Sequence, residues 1–136
     1  LSVGISCGLG FGDNTTAALI TRGLTEIVRL GTAMGCKKDV FYGLAGVGDL
    51  IVTCISTHSR NHRAGKLIAQ GKSAEEAKKE IGMVVEGLNM LPAAMKLKEK
   101  YNVEMPIIDV VDAVVNGEID TAEAVRRLMA RNKKGE

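Results

Sequence analysis

Helical periodicity is the feature that most limits how this 136-residue chain can fold. Apolar residues recur at steps of three and four almost throughout the sequence, whereas the alternation of a half-buried strand is hard to find. Aromatic residues make up only 3% of the chain, so aliphatic side chains must fill the core. A chain of this length forms one domain around a single core. We therefore predict an all-α fold, a bundle of roughly seven helices with no internal linker.

Capping and helix-breaking residues divide the pattern into segments. The predicted helices cover residues 13–35, 39–44, 48–55, 59–71, 73–82, 86–101, 106–117 and 120–131. Pro92 lies inside the sixth segment, where a proline costs about 3 kcal/mol, so we expect a kink or a helix start there. The tail, residues 132–136, is expected to fray.

The first predicted helix is amphipathic. Its charged side chains, Arg22, Glu26 and Arg29, fall together on one side and are expected to face away from the core. The opposite, apolar face comprises Ala17, Ile20, Leu24, Ile27, Val28, Gly31 and Met34. A glycine-rich segment, Gly8 to Asn14, precedes this helix and is predicted to turn the chain into it. It resembles a dinucleotide fingerprint only superficially, because its third glycine comes one position early and no strand-helix-strand unit surrounds it.

Composition excludes several classes of function. The net charge is +2 and basic residues alternate with acids, which argues against nucleic acid as a partner. No apolar run reaches membrane length, and no signal peptide is visible at the amino terminus. Three cysteines, Cys7, Cys36 and Cys54, lack metal-type spacing and indicate reduced thiols in a cytoplasmic protein, with no metal site. The sequence does not begin with Met, so we expect a truncated chain.

The segment from Gly43 to Asn61 carries the chemistry. It places a single acid, Asp49, in an apolar run, ten residues before the triplet that begins at Ser59. A buried carboxylate needs a cation or hydrogen bonds, and a serine-capped helix start beside a guanidinium can hold a phosphate. This pattern suggests a site for a small polyol phosphate. From the residues alone, Asp49 could equally cap a helix, and a solvated, capped helix start is the commoner reading of the triplet.

Among the other residues of this segment and its neighbour His62, Thr53 has two possible roles, and the histidines and Cys54 are given structural ones. The Thr53 hydroxyl can face the same pocket as Asp49 or bond a carbonyl of its own helix. His58 and His62 are predicted to be surface residues rather than catalysts. Cys54 is predicted to be a packed small side chain rather than a nucleophile.

Five motifs in order resemble the bacterial NAD(P)-dependent glycerol-3-phosphate dehydrogenases. They are the Gly43–Asn61 segment, Gly8-Leu-Gly-Phe-Gly-Asp-Asn14, Ala17-Ala-Leu-Ile-Thr-Arg-Gly-Leu24, Val84-Val-Glu-Gly87 and Val103-Glu-Met-Pro-Ile107. The resemblance covers nearly the whole chain. It implies that residues 1–136 are the C-terminal, substrate-binding helical domain, similar to that of the 6-phosphogluconate dehydrogenase-like group. The N-terminal Rossmann domain and the family's catalytic Lys-Asn pair would precede it and are absent from this chain.

The resemblance also implies a reaction and a set of residues. The family interconverts dihydroxyacetone phosphate and sn-glycerol 3-phosphate by hydride transfer with NAD(P)H, for phospholipid precursor synthesis. Asp49 would support the upstream lysine and contact substrate, with further substrate contacts from Thr53, Ser59, Arg60 and Asn61. Cofactor contacts would come from Arg60, Val84 and Glu86. The isolated chain is expected to be inactive, and a homodimer is compatible with the sequence. The alternative is a noncatalytic helical module that binds an anion or a protein through the Arg60 helix start.

Overall fold

A computed structural model describes residues 1–130, which are helical and contain no strand. The eight α-helices are α1 (Ser2–Gly8), α2 (Asp13–Ala33), α3 (Asp49–Ile55), α4 (Arg60–Ala69), α5 (Ala74–Ile81), α6 (Glu86–Tyr101), α7 (Pro106–Val115) and α8 (Thr121–Met129). A 3-10 helix (Lys38–Tyr42) and one π-helical turn (Leu44–Gly48) lie between α2 and α3. The predicted all-α bundle is confirmed. None of the described helices is long and apolar enough to cross a membrane.

The first helix is the element that sequence analysis missed. Residues Ser2 to Gly8 form α1, although the segment is short and carries two glycines. Val3 and Ile5, each 3% exposed, enter two different apolar clusters of the core. One cluster joins α1 to α4, α5, α6, α7 and α8, and the other joins it to α2, α6, α7 and α8. Short α1 therefore lies at the centre of the bundle.

Glycines allow α1 and α4 to cross at backbone contact. A Cβ atom on Gly4 would lie 2.2 Å from the carbonyl oxygen of His62, and one on Gly65 would lie 2.3 Å from that of Leu1. Neither position has room for a side chain, because the clashing atoms belong to the opposite backbone. This crossing fixes the start of α4 against the middle of the core.

Several helices begin at the capping residues that predicted their starts. Ser59 caps α4, Ser73 and Glu76 form a reciprocal capping box on α5, and Asp120 caps α8. Pro106 occupies the first turn of α7, where its missing N–H costs nothing. The predicted end of the last helix at Arg131 and the frayed tail lie outside the described residues.

Of the two outcomes expected at Pro92, the helix start is wrong, whereas the kink stays a prediction. Helix α6 runs without interruption from Glu86 to Tyr101 with Pro92 inside it. Leu88 and Leu91 bury their side chains in the two core clusters, at 5% and 4% exposure. The Gly87 amide also donates to the Asn61 side chain, 2.8 Å away. Tertiary contacts therefore hold the first turns of α6 against the local cost of the proline.

The buried face of α2 differs from the predicted one. Leu19 and Glu26 are buried, at 2% and 4% exposure, whereas Ile27 and Met34 are exposed at 39% and 46%. The Glu26 carboxylate accepts hydrogen bonds from the Ile107 and Ile108 amides at the start of α7, at 2.7 and 3.4 Å. An acid expected on the solvent face thus caps another helix inside the protein.

Residues 38–55 form the most exposed part of the described structure. The 3-10 helix, the π-helical turn and α3 contain no buried residue, although most of their side chains are apolar. Instead of the expected glycine turn, residues 44–48 wind directly into α3. A Cβ on Gly46 would lie 2.2 Å from the Phe41 carbonyl oxygen, so this turn requires a glycine. Leu44, at its start, is 91% exposed.

Candidate functional site

An open cleft of about 390 Å³ lies where α3, α4 and α6 meet. Five of the seven predicted site residues line it: Thr53, Ser59, Arg60, Asn61 and Glu86. They come from α3, from the capped start of α4 and from α6, and the loop after α3 adds Ser56 and His58 to the lining. The structure therefore gathers most of the predicted residues around a single space.

The start of α4 presents two amides to this cleft region. The Ser59 hydroxyl accepts the His62 amide at 3.3 Å, and the Ser59 carbonyl accepts the Arg63 amide at 2.9 Å. The amides of Arg60 and Asn61 donate no hydrogen bond to any group within residues 1–130. Unpaired amides at the positive end of a ten-residue helix favour an anion.

Arg60 and Asn61 add side-chain donors at the same place. Arg60 is half-buried as a residue, and its guanidinium forms no ion pair with the described acids. The Asn61 side-chain oxygen accepts the Gly87 amide at 2.8 Å, which leaves its NH₂ group as the free donor. A guanidinium, a side-chain amide and two backbone amides are thus available to a phosphate-like group.

His62 is buried, and its predicted surface position is wrong. The side chain is 7% exposed, and its Nδ1 lies 2.7 Å from the carbonyl oxygen of Cys54. A carbonyl oxygen can only accept, so Nδ1 carries the proton and donates. Cys54 is in the last turn of α3, where carbonyls lack partners within the helix. His62 therefore ties the end of α3 to the start of α4.

Cys54 itself has the properties of a packed thiol. Its side chain is half-buried and packs against the cluster that contains Val3 and Leu19. Burial raises the pKa of the Cys54 thiol above its ordinary value. The thiol is therefore uncharged at neutral pH, which fits the predicted packing role rather than nucleophilic chemistry.

Two predicted residues do not line the cleft. Asp49 is exposed at the first position of α3 and bonds no group within residues 1–130, so it is not the buried carboxylate that its apolar run suggested, and its pairing with the upstream lysine stays a prediction. It nevertheless lies one helical turn before Thr53, and residues four apart share a helix face. Val84 is 51% exposed in the segment that leads into α6, two residues before Glu86.

Val52, Ser56 and His58 line the cleft and were not predicted as site residues. Val52 is 62% exposed, although it belongs to an apolar run that sequence analysis would bury. Within the loop after α3, the Ser56 hydroxyl accepts a hydrogen bond from the His58 amide, 3.2 Å away. The signal that could have found them is proximity to Thr53 and Ser59 along the chain.

The family comparison decides what kind of domain this is. A family model described as the C-terminus of NAD-dependent glycerol-3-phosphate dehydrogenase matches residues 1–126. The chain belongs to this family. The resemblance found in the sequence motifs is confirmed.

Individual relatives agree with this assignment. The chain is 63% identical to a glycerol-3-phosphate dehydrogenase, NAD(P)+, of Lactobacillus delbrueckii subsp. bulgaricus over all 136 residues, which is 40% of that protein. It is 58% identical over 134 residues to the Fusobacterium nucleatum protein of the same name, covering 98% of this chain and 40% of the relative. The chain therefore spans about 40% of the length of the curated relatives it matches.

A solved structure has the same fold. The crystal structure of glycerol-3-phosphate dehydrogenase from Coxiella burnetii superposes with a TM-score of 0.93 at 42% sequence identity. The superposition covers 96% of this chain and 40% of that one. The helical domain described above thus corresponds to part of a larger enzyme in a solved relative.

Proposed function

We propose that this chain is the C-terminal, substrate-binding domain of an enzyme that interconverts dihydroxyacetone phosphate and sn-glycerol 3-phosphate. The observation that carries the proposal is the cleft at the start of α4, which gathers Arg60, Asn61 and free helix amides in a member of this dehydrogenase family. In such a protein the nucleotide-binding domain would precede residue 1 and close the cleft from the other side.

The substrate phosphate would bind at the start of α4. Its charge would be balanced by the Arg60 guanidinium and by the positive end of the helix, and its oxygens would accept from the Asn61 NH₂ group and the unpaired amides. Ser59 contributes by capping the helix so that its first turn keeps this geometry. Binding the phosphate here would hold the carbonyl carbon at a fixed distance from α4.

Helix α3 would face the reacting end of the substrate. The Thr53 hydroxyl lines the cleft and can hydrogen-bond a substrate oxygen. Asp49, one turn earlier and exposed, can pair with a cation that a preceding domain supplies, which suits the family's catalytic lysine. Pairing with that cation would favour the charged ammonium as the proton donor to the developing alkoxide.

The cofactor side of the cleft would be formed by Arg60, Val84 and Glu86. NAD(P)H would supply the hydride that reduces the carbonyl carbon. Glu86 lines the cleft from α6 and Val84 is exposed just before it, so both can contact a dinucleotide held mainly by another domain. These two residues and Arg60 would then orient the cofactor relative to the substrate carbonyl.

The full-length enzyme tests this assignment. Reduction of dihydroxyacetone phosphate is measured with NADH and with NADPH for wild type, Asp49→Asn and Arg60→Ala. We expect Asp49→Asn to lower kcat, and Arg60→Ala to raise KM by about tenfold or more, as for the loss of a charge-assisted contact. Unchanged kinetics in both variants would contradict the proposed site.

A binding measurement separates the enzyme from a noncatalytic module. Glycerol 3-phosphate should raise the melting temperature of the full-length protein, and Arg60→Ala should abolish the shift. A protein that shows this shift but no turnover with either nucleotide would be an anion-binding module instead.

A further inference from the structure

We propose that His62 is a positioning residue, which sets the distance between the two walls of the cleft by holding the end of α3 against the start of α4. This inference rests on the proposed function for its kinetic consequences, but the anchoring itself follows from contacts in the described structure. His62 would touch neither substrate nor cofactor.

The backbone of His62 is held in place by contacts with α1 and with the Ser59 cap. It lies against Gly4 of α1 so closely that a Cβ on Gly4 would come within 2.2 Å of the His62 carbonyl oxygen. Its amide donates to the Ser59 cap at 3.3 Å. The crossing of α1 and α4, deep in the core, therefore fixes the backbone of His62.

The His62 ring forms a hydrogen bond to α3. Nδ1 donates to the Cys54 carbonyl at 2.7 Å, in a region where the histidine is 7% exposed. Helix α3 contains no fully buried residue, and Cys54, which packs against a core cluster, is only half-buried. A buried hydrogen bond to one of its last carbonyls is thus a principal anchor of this short helix.

The two residues joined by this hydrogen bond, His62 and Cys54, are next to cleft residues in the sequence. Thr53 lies on α3 immediately before Cys54, whereas Arg60 and Asn61 lie on α4 immediately before His62. The hydrogen bond between the His62 ring and the Cys54 carbonyl therefore connects the cleft residue of α3 to the cleft residues of α4. Loss of this bond would let Thr53 and Asp49 shift relative to the phosphate site, while the phosphate site on α4 stays intact.

Variants of the full-length enzyme test the anchor. His62→Phe keeps a planar aromatic ring, although a larger one, and removes the donor. In His62→Asn the side-chain nitrogen is the same number of bonds from Cβ as Nδ1, so it can replace the donor, whereas His62→Gln displaces it by one methylene. Val125→Ala, a core truncation in α8 at a residue that is 3% exposed, is the control for a loss of stability alone.

The kinetic readouts are kcat for dihydroxyacetone phosphate reduction and the inhibition constant of inorganic phosphate. We expect His62→Phe to lower kcat by about ten- to a hundredfold with phosphate inhibition near the wild-type value, because only the α3 wall moves. His62→Asn should restore most of kcat, and His62→Gln should not. If His62→Phe does not fold, the comparison of the Asn and Gln variants decides the question.

Amide hydrogen exchange gives a readout that does not require turnover. We expect residues 50–56 to exchange faster in His62→Phe than in wild type and in Val125→Ala, with α4 unchanged. Any one of four results would overturn the inference. They are a wild-type kcat in His62→Phe, an equal loss of kcat in the Phe and Asn variants, weaker inhibition of His62→Phe by phosphate, and unchanged amide exchange of residues 50–56. An inactive wild type would overturn the proposed function only, and the exchange data would still decide on the anchor.

Discussion

At the scale of the residue, a buried acid on α2 takes part in the structure of α7. Glu26 accepts two amides at the start of α7, where Pro106 has no N–H and the residue before it offers no side-chain cap. Burial raises the pKa of the Glu26 carboxyl, and the two amide bonds and nearby Arg29 only partly oppose that rise. The carboxyl is thus more readily protonated in the folded protein than in the unfolded chain.

This raised pKa predicts a specific pH dependence. The folded state binds the proton more tightly, so the free energy of unfolding should fall as pH rises from the ordinary pKa of 4.5 through the folded value. Glu26→Gln keeps an acceptor oxygen without a titrating group. Urea titrations at several pH values should therefore show that this variant gains stability relative to wild type as pH rises through that range.

Glu26→Ala separates the acceptor from the charge. It leaves the Ile107 amide without its partner inside the protein, which costs about 1–3 kcal/mol. We expect Glu26→Ala to be less stable than Glu26→Gln at every pH. Equal stability of the two variants would mean that the carboxylate does not cap α7.

At the scale of the element, the crossing of α1 and α4 depends on the absence of side chains. Gly65→Ala places a methyl group against the backbone of α1, with the Leu1 oxygen 2.3 Å away. We expect this variant to lose about 1–3 kcal/mol of unfolding free energy, measured by chemical denaturation, because the helices must separate.

Gly23→Ala provides the matched comparison within α2. A Cβ there would meet only the Ile107 Cδ1 atom, at 3.9 Å, which is an ordinary contact. Replacing a helical glycine by alanine should then stabilise the protein by about 0.5–1 kcal/mol. A Gly65→Ala variant as stable as Gly23→Ala would contradict the close crossing.

At the scale of the whole molecule, the proposed function makes the described residues one side of a site that a preceding domain would complete. The cleft at α3, α4 and α6 is open, and Asp49, one helical turn before the cleft residue Thr53, bonds no group within residues 1–130. Residues 1–136 produced alone should therefore show no NADH oxidation with dihydroxyacetone phosphate, whereas the full-length enzyme should. Spectrophotometric assays of both proteins at equal concentration check this expectation. Turnover by the isolated chain would contradict the division of roles proposed here.

The sequence alone was sufficient for features set by nearby residues. Serine and aspartate caps, the capping box at Ser73, Pro106 at a helix start and the long helical periods each depend on contacts within one or two turns. The motif order also identified the family, and the residues from Thr53 to Asn61 gathered at one cleft because they are close along the chain.

Only the tertiary structure decided what depends on distant residues. Residues 2–8 become a central helix because α4 packs against them, and α6 passes through Pro92 because Asn61 and the core hold its first turns. Glu26 and His62 are buried where groups on α7 and α3 hydrogen-bond the Glu26 carboxylate and the His62 Nδ1 atom. A polar side chain is buried when a partner offsets its lost hydration, and the position of that partner is a property of the fold rather than of the local sequence.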